Sequence, residues 1–137
     1  MSRRALRLAE KRPLAPSAEH QALAAAWLHY SAGKYSERDP EFEASERLDD
    51  LVFHDPETGW AVIDLMWRDA ADDRMLATIA AGPVEDLLVR HGDAFIDRVY
   101  LLARREPRFR KLLGAVWRNG MSEPVWQKLQ SIAGPSF

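Results

Sequence analysis

Apolar residues recur along most of this chain at the three- and four-residue spacing that places them on one face of a helix. The clearest stripe is Trp60, Ile63, Met66 and Trp67, at positions i, i+3, i+6 and i+7. No stretch alternates apolar and polar residues for long enough to predict a strand. The pattern therefore predicts an all-α protein of about eight helices, each of roughly 9 to 15 residues.

Capping residues and prolines mark where the helices begin. Ser17 is the expected cap of the first helix, and Asp39-Pro40 and Asp55-Pro56 each combine a cap with a proline at the first helical position. Further starts are expected at Asp93, Pro107 and Ser122, and ends at Gly33, Gly92, Asn119-Gly120 and Gly134-Pro135. Such short joints favour antiparallel hairpins, in an orthogonal bundle or a short superhelical arrangement, within a single domain over residues 17–134.

The pair Gly82-Pro83 is interpreted as a hinge between two helices. Gly82 is expected in the left-handed conformation that ends one helix, and Pro83 is suited to the first position of the next. The second of these helices is predicted to be short, over residues 83–91, because Gly92 follows it.

Composition limits the compartment and the partners. The chain has 137 residues and no cysteine, which excludes disulfides and thiolate zinc sites and fits a cytoplasmic protein. No apolar run approaches the roughly 20 residues that cross a bilayer, so no membrane partner is expected. Residues 1–16 carry arginines and prolines and predict a loosely ordered basic arm; a strap docked by Leu6, Leu8 and Leu14 is the alternative.

Charge is unevenly distributed along the chain. Residues 39–73 contain twelve acidic and two basic side chains, whereas residues 104–128 contain seven basic and two acidic ones. Such asymmetry indicates either pairing within the fold or two surfaces for two kinds of partner.

Three segments carry a family resemblance: GPVEDLLVRHG at 82–92, DAFIDR at 93–98 and PRFRKLLGAVW at 107–117. They resemble a family of small bacterial proteins known only as a domain of unknown function, whose core is Gly-Pro-Leu-Glu-Asp-Leu-Leu, with Val84 here in place of Leu. Asp55-Pro56-Glu57 and Trp60 match its upstream Asp-Pro-Glu…Trp segment. The resemblance covers about residues 20 to 118, leaves the tail after Gly120 outside, and implies an all-helical fold without implying an activity.

The hinge holds the best candidates for a small-ligand or catalytic site: Glu85, Asp86 and His91. Adjacent carboxylates on a helix point about 100° apart, so Glu85 and Asp86 form a weak acid–base pair. Their expected role is to place anions at a helix start. The alternative is a structural carboxylate, in which one of the two reaches inward and hydrogen-bonds a neighbouring helix start. No histidine pair has metal-site spacing, and no cofactor or metal is predicted.

The remaining candidates are surface residues. Asp49 and Asp50 represent the acidic segment, and Trp60 and Trp67 are candidate aromatic anchors, although most of the five tryptophans are expected in the core. Arg108 and Arg110 represent a basic cluster able to contact phosphates. The overall pI of about 6.1 counts against nucleic acid.

These observations favour a non-enzymatic helical module that binds a basic partner protein through the acidic surface of residues 39–73, in one version as an immunity or antitoxin-like inhibitor. The alternatives are a small-ligand binder or unrecognised enzyme at the Gly82-Pro83 hinge, and nucleic-acid binding through the basic C-terminal half. The sequence leaves a homo-oligomer open.

Overall fold

Helices provide all the regular secondary structure in the residues described by this computed structural model, which are 17–33 and 42–135. The all-α prediction is confirmed. The described residues form seven α-helices and one π-helical turn: α1 (Ala18–Ala32), α2 (Phe42–His54), α3 (Pro56–Asp69), α4 (Asp73–Ile79), the π turn (Ala80–Val84), α5 (Glu85–Arg105), α6 (Pro107–Leu113) and α7 (Glu123–Ile132).

The predicted caps begin three of these helices. The side chains of Ser17, Asp55 and Ser122 each accept a hydrogen bond from the backbone N–H three residues later, at 3.0, 3.4 and 3.4 Å. Pro56 and Pro107 occupy the first positions of α3 and α6, as predicted. The predicted start at Asp39-Pro40 and the basic arm over residues 1–16 lie outside the described residues.

By their packing, the residues divide into two compact units, with the boundary between Ile79 and Ala80. In the first unit, α1 packs against α2, α3 and α4, and α3 packs against α2 and α4. Its core contains the predicted tryptophan stripe: Trp60, Ile63, Met66 and Trp67 are all at most 2% exposed. The prediction of one domain over residues 17–134 stays a prediction.

The second unit is built around α5, which packs against the π turn, α6 and α7. Its apolar side chains form a common core whose largest fully buried members are Leu87, Leu88, Phe109, Leu112, Leu113 and Leu129. Burial of this many large side chains is the main stabilising contribution available to a helical unit of this size.

The predicted conformation of the hinge is wrong. No described glycine has a positive φ, and Gly82 and Pro83 lie inside the π turn, which leads directly into α5. A π turn holds more residues than an α-helical turn, so it relieves the clash between a proline ring and the carbonyl four residues earlier. Pro83 is therefore accommodated by a wider turn and not by a helix end.

The predicted break just before Gly92 is confirmed. The helical run from Glu85 to Arg105 consists of two helices joined across a kink, where His91 has non-helical backbone angles (φ −132°, ψ 29°). A Cβ at position 92 would lie 2.9 Å from Cγ2 of Val125, which is closer than real Cβ contacts. Gly92 is therefore explained by the close approach of α5 and α7.

The helix that begins at Pro107 is shorter than predicted. It ends at Leu113, and residues 114–122 form a loop in which Asn119 has a φ of 45°, the only positive value for a non-glycine residue in the described chain. Asn-Gly at 119–120 thus makes a turn within this loop and does not end a helix.

We expect Gly82→Ala to preserve or raise stability and Gly92→Ala to lower it. At position 82 the backbone φ is not left-handed and an added Cβ would meet nothing within 4 Å, so alanine should leave stability unchanged or raise it by up to about 1 kcal/mol. At position 92 the clash with Val125 should cost about 1–3 kcal/mol. Urea denaturation of both variants measures the difference, and destabilisation by Gly82→Ala would contradict the observed turn.

Candidate functional site

One exposed face of α2 combines carboxylates with an aromatic ring. Glu46, Asp49, Asp50 and Phe53 occupy positions i, i+3, i+4 and i+7, which lie on the same side of a helix. All four are exposed, and Phe53 is 48% exposed, an unusual fraction for so large an apolar side chain. We call these four residues the acidic face.

The opposite side of α2 explains why this face points outward. Ala44, Leu48 and Val52 are at most 5% exposed and hold α2 in the core of the first unit. The sequence analysis did not single out Phe53. The signal was present, because an aromatic residue on the polar side of an amphipathic helix has no core to enter.

Local contacts position Phe53 beside the carboxylates. Its ring meets the ring of His54 edge to face, with centroids 4.6 Å apart. His54 Nε2 in turn lies 3.6 Å from Asp50 Oδ1, one helical turn earlier. An aromatic ring fixed in this way loses little conformational freedom when it is covered by a partner.

Three other acids of the segment 39–73 have structural roles. Asp55 and Asp72 cap the starts of α3 and α4, the latter by accepting the Met75 N–H at 2.9 Å. Asp64 accepts hydrogen bonds from Arg68 Nε at 3.0 Å and from the indole N–H of Trp67 at 3.2 Å. These three carboxylates are therefore engaged by the fold, whereas the carboxylates of the acidic face are exposed.

Trp60 and Trp67 are not on the surface. Each is only 2% exposed, because the stripe that they share with Ile63 and Met66 fills the core of the first unit. The suggestion that these two rings anchor a partner is therefore corrected: among the described residues of this unit, Phe53 is the exposed large apolar aromatic side chain.

Glu85 is a buried structural carboxylate. It is 7% exposed, and its Oε1 accepts a hydrogen bond from the Trp117 backbone N–H at 2.9 Å. Its Oε2 accepts a second hydrogen bond from the side-chain amide of Asn119. Glu85 thus reaches inward as the sequence suggested for one carboxylate, but it binds the loop after α6 and not a helix start.

His91 lines a pocket that the two hinge carboxylates do not line. It is partly buried, and the pocket has a volume of about 330 Å³ and lies between α5 and the residues around Ser122. Neither Glu85 nor Asp86 is among the residues that line it. Burial raises the pKa of Asp86 above its ordinary value, and neighbouring Arg90 opposes this shift.

The basic candidates Arg108 and Arg110 are both exposed on α6. Arg110 Nε donates a hydrogen bond to the Ile132 carbonyl at 3.0 Å, which satisfies one of the carbonyls at the end of α7. Two other cations of the second unit form ion pairs at 2.6 Å: Arg118 with Glu123, and Lys128 with Asp97. The basic residues therefore do not form one continuous unpaired track.

Residues 17–33 and 42–135 contain no group of three histidine, aspartate or glutamate side chains placed to hold a metal ion. Within the same ranges, no helix combines the length and the apolar character needed to span a membrane.

Comparison with known proteins identifies one family. A family model described as "Family of unknown function (DUF6869)" matches residues 33–136. The match includes the tail after Gly120, which the sequence resemblance had left outside. No curated protein and no solved structure matches the chain.

We expect Glu85→Ala to destabilise the second unit by about 1–3 kcal/mol, because it removes the buried carboxylate that accepts the part-buried hydrogen bond from the Trp117 N–H. Glu85→Gln keeps one acceptor oxygen and should recover part of the loss. Urea denaturation followed by tryptophan fluorescence measures both variants. An alanine variant as stable as the wild type would show that the loop does not depend on this carboxylate.

The raised pKa of Asp86 predicts the pH dependence of an Asp86→Asn variant. Because the folded-state pKa lies above the unfolded one, ionisation of Asp86 opposes folding, and its unfavourable contribution grows as the pH rises through that interval. The variant should be at least as stable as the wild type at neutral pH, with the difference shrinking in acid. Urea denaturation at both pH values, with exposed Asp69→Asn as control, tests this; a less stable Asp86→Asn at neutral pH would contradict it.

Proposed function

Since the chain belongs to a family of unknown function, DUF6869, we propose its function from its own surface: a non-enzymatic helical module that binds a basic partner protein through the acidic face of α2. The observation that carries this proposal is the 48% exposure of Phe53 next to Asp49 and Asp50. An exposed aromatic residue among carboxylates offers both an apolar anchor and an attractive field.

The charge of α2 favours a cationic partner. The helix contains four carboxylates, Glu43, Glu46, Asp49 and Asp50, against one arginine, Arg47, which pairs with Glu19 at 3.3 Å. A surface of one sign raises the rate of encounter with a partner of the opposite sign and suppresses binding of like-charged proteins. The carboxylates thus select the partner, while Phe53 contributes the apolar contact that slows its release.

An immunity or antitoxin-like inhibitor is one concrete version of this function. A small helical protein with an acidic face is able to cover the cationic surface of a toxin and so block its access to substrate. The proposal places this binding in a bacterial cytoplasm, which the absence of cysteine fits.

The alternatives have less support in the geometry. Glu85, the most buried of the hinge candidates, already accepts two hydrogen bonds from the loop after α6, which leaves Asp86 as the one candidate carboxylate for a catalytic site at the hinge. Nucleic-acid binding through the C-terminal half is weakened by the ion pairs of Arg118 and Lys128. A homo-oligomer through the acidic face is disfavoured by repulsion between like charges.

Affinity capture from the native host tests the proposal. The wild type should retain one stoichiometric partner with a basic surface, and Asp49→Asn/Asp50→Asn should lose it. The matched control is Asp69→Asn/Asp73→Asn, which removes the same charge from exposed positions of the same unit outside the acidic face and should retain the partner.

Phe53→Ala separates the apolar anchor from the charges. We expect it to weaken binding of the purified partner at least tenfold, or about 1.4 kcal/mol, mainly through faster dissociation. The charge variants should instead slow association and reduce its salt dependence. Unchanged affinity in both Phe53→Ala and the Asp49/Asp50 variant, with the folds intact by circular dichroism, would overturn the proposal.

A further inference from the structure

A second pocket of the second unit, distant in sequence from the acidic face, combines cations with apolar walls. Its volume is about 430 Å³, within the range of small-molecule sites. Arg104, Arg110 and Lys111 contribute the charge, and Ala103, Pro107 and Pro135 contribute apolar surface. None of the residues that line it is acidic.

One of the cations is held in a defined orientation. The hydrogen bond from Arg110 Nε to the Ile132 carbonyl, at 3.0 Å, fixes the plane of the guanidinium group at the pocket wall. Its two remaining nitrogens form no hydrogen bond with any residue in the described ranges, and neither does the side chain of Arg104. Two arginines that lie on the same pocket present the forked donors that match the oxygens of a phosphate or carboxylate.

Backbone packing forms another part of the pocket wall, next to Arg110. The Gly134 N–H donates to the Arg110 carbonyl at 3.0 Å and holds the segment after α7 against α6. A Cβ at Gly114 would lie 2.9 Å from the Gly134 carbonyl oxygen, so this segment is tightly seated. A pocket with such a wall needs little reorganisation when a ligand enters, which favours affinity.

We propose that this pocket binds a small phosphate monoester with an apolar body. Arg104 and Arg110, with no acid in the lining, favour a dianion over a singly charged carboxylate, because the attraction grows with the charge of the ligand. The apolar surface of Ala103, Pro107 and Pro135 gains no favourable contact from a bare inorganic ion. It suits a compact hydrocarbon or aromatic group that covers it. The site goes beyond the proposed binding of a protein at α2.

Phenyl phosphate, benzoate and inorganic phosphate are the probes that separate these contributions. At physiological ionic strength, titrations of the full chain followed by two-dimensional NMR should show phenyl phosphate binding at least tenfold more tightly than either of the other two. The shifts should centre on the backbone amides of Arg104, Arg110 and Gly134. Benzoate binding as tightly as phenyl phosphate would overturn the assignment to a phosphate, and inorganic phosphate doing so would overturn the apolar half of the site.

Two matched variants of α5 test the location. Arg104→Gln removes a cation that lines the pocket, whereas Arg105→Gln removes the same charge from the next residue, which does not line it. Both residues are exposed in the last helical turn, so both changes disturb the helix end equally. We expect Arg104→Gln to weaken phenyl phosphate binding at least fivefold and Arg105→Gln less than twofold. Equal weakening by the two, or no binding to the wild type, would overturn the proposal.

Discussion

The second unit depends on one buried carboxylate. Glu85, in the first turn of α5, accepts hydrogen bonds from the backbone of Trp117 and from the side chain of Asn119. These residues belong to the loop that connects α6 to α7. The side chain of Glu85 therefore holds this loop against the start of α5. Removing a carboxylate from water is costly unless its oxygens are well paired, and both oxygens of Glu85 are paired here. The requirement for that pairing limits where the loop is able to lie.

This constraint explains two features of the unit that apolar spacing alone does not. The helix that begins at Pro107 ends at Leu113, although apolar spacing continues to Val116 and Trp117, because the Trp117 N–H is bound to Glu85 instead of to a helical carbonyl. The same arrangement leaves the Trp117 ring 74% exposed. Glu85 therefore has a structural role. The sites proposed for function lie instead at the exposed side chains of α2 and at the basic pocket beside α6.

Local signals in the sequence were sufficient to predict three helix starts and part of the core. Ser17, Asp55 and Ser122 cap the helices that their spacing predicts, and the stripe from Trp60 to Trp67 is buried as predicted. The errors arose where the surrounding structure decides the local conformation. Gly82-Pro83 resembles a helix break but forms a π turn, and the helix that begins at Pro107 ends well before Asn119-Gly120. The candidate site was also predicted only in part. Asp49 and Asp50 were identified from the charge of their segment, whereas Phe53 was identified only from the structure, which shows the buried side of α2.

Amide hydrogen exchange at Trp117 tests the central role of Glu85 most directly. The Trp117 N–H lies in a loop beside an exposed ring, so nothing but the carboxylate protects it among the described residues. The neighbouring Arg118 N–H provides an internal reference, because it has no hydrogen-bond acceptor in the described part of the chain. In the native protein, exchange at Trp117 should be slower than at Arg118 by orders of magnitude, approaching the protection of the core of α5. Equal exchange at the two amides would contradict the account, since the loop would then not be held by Glu85.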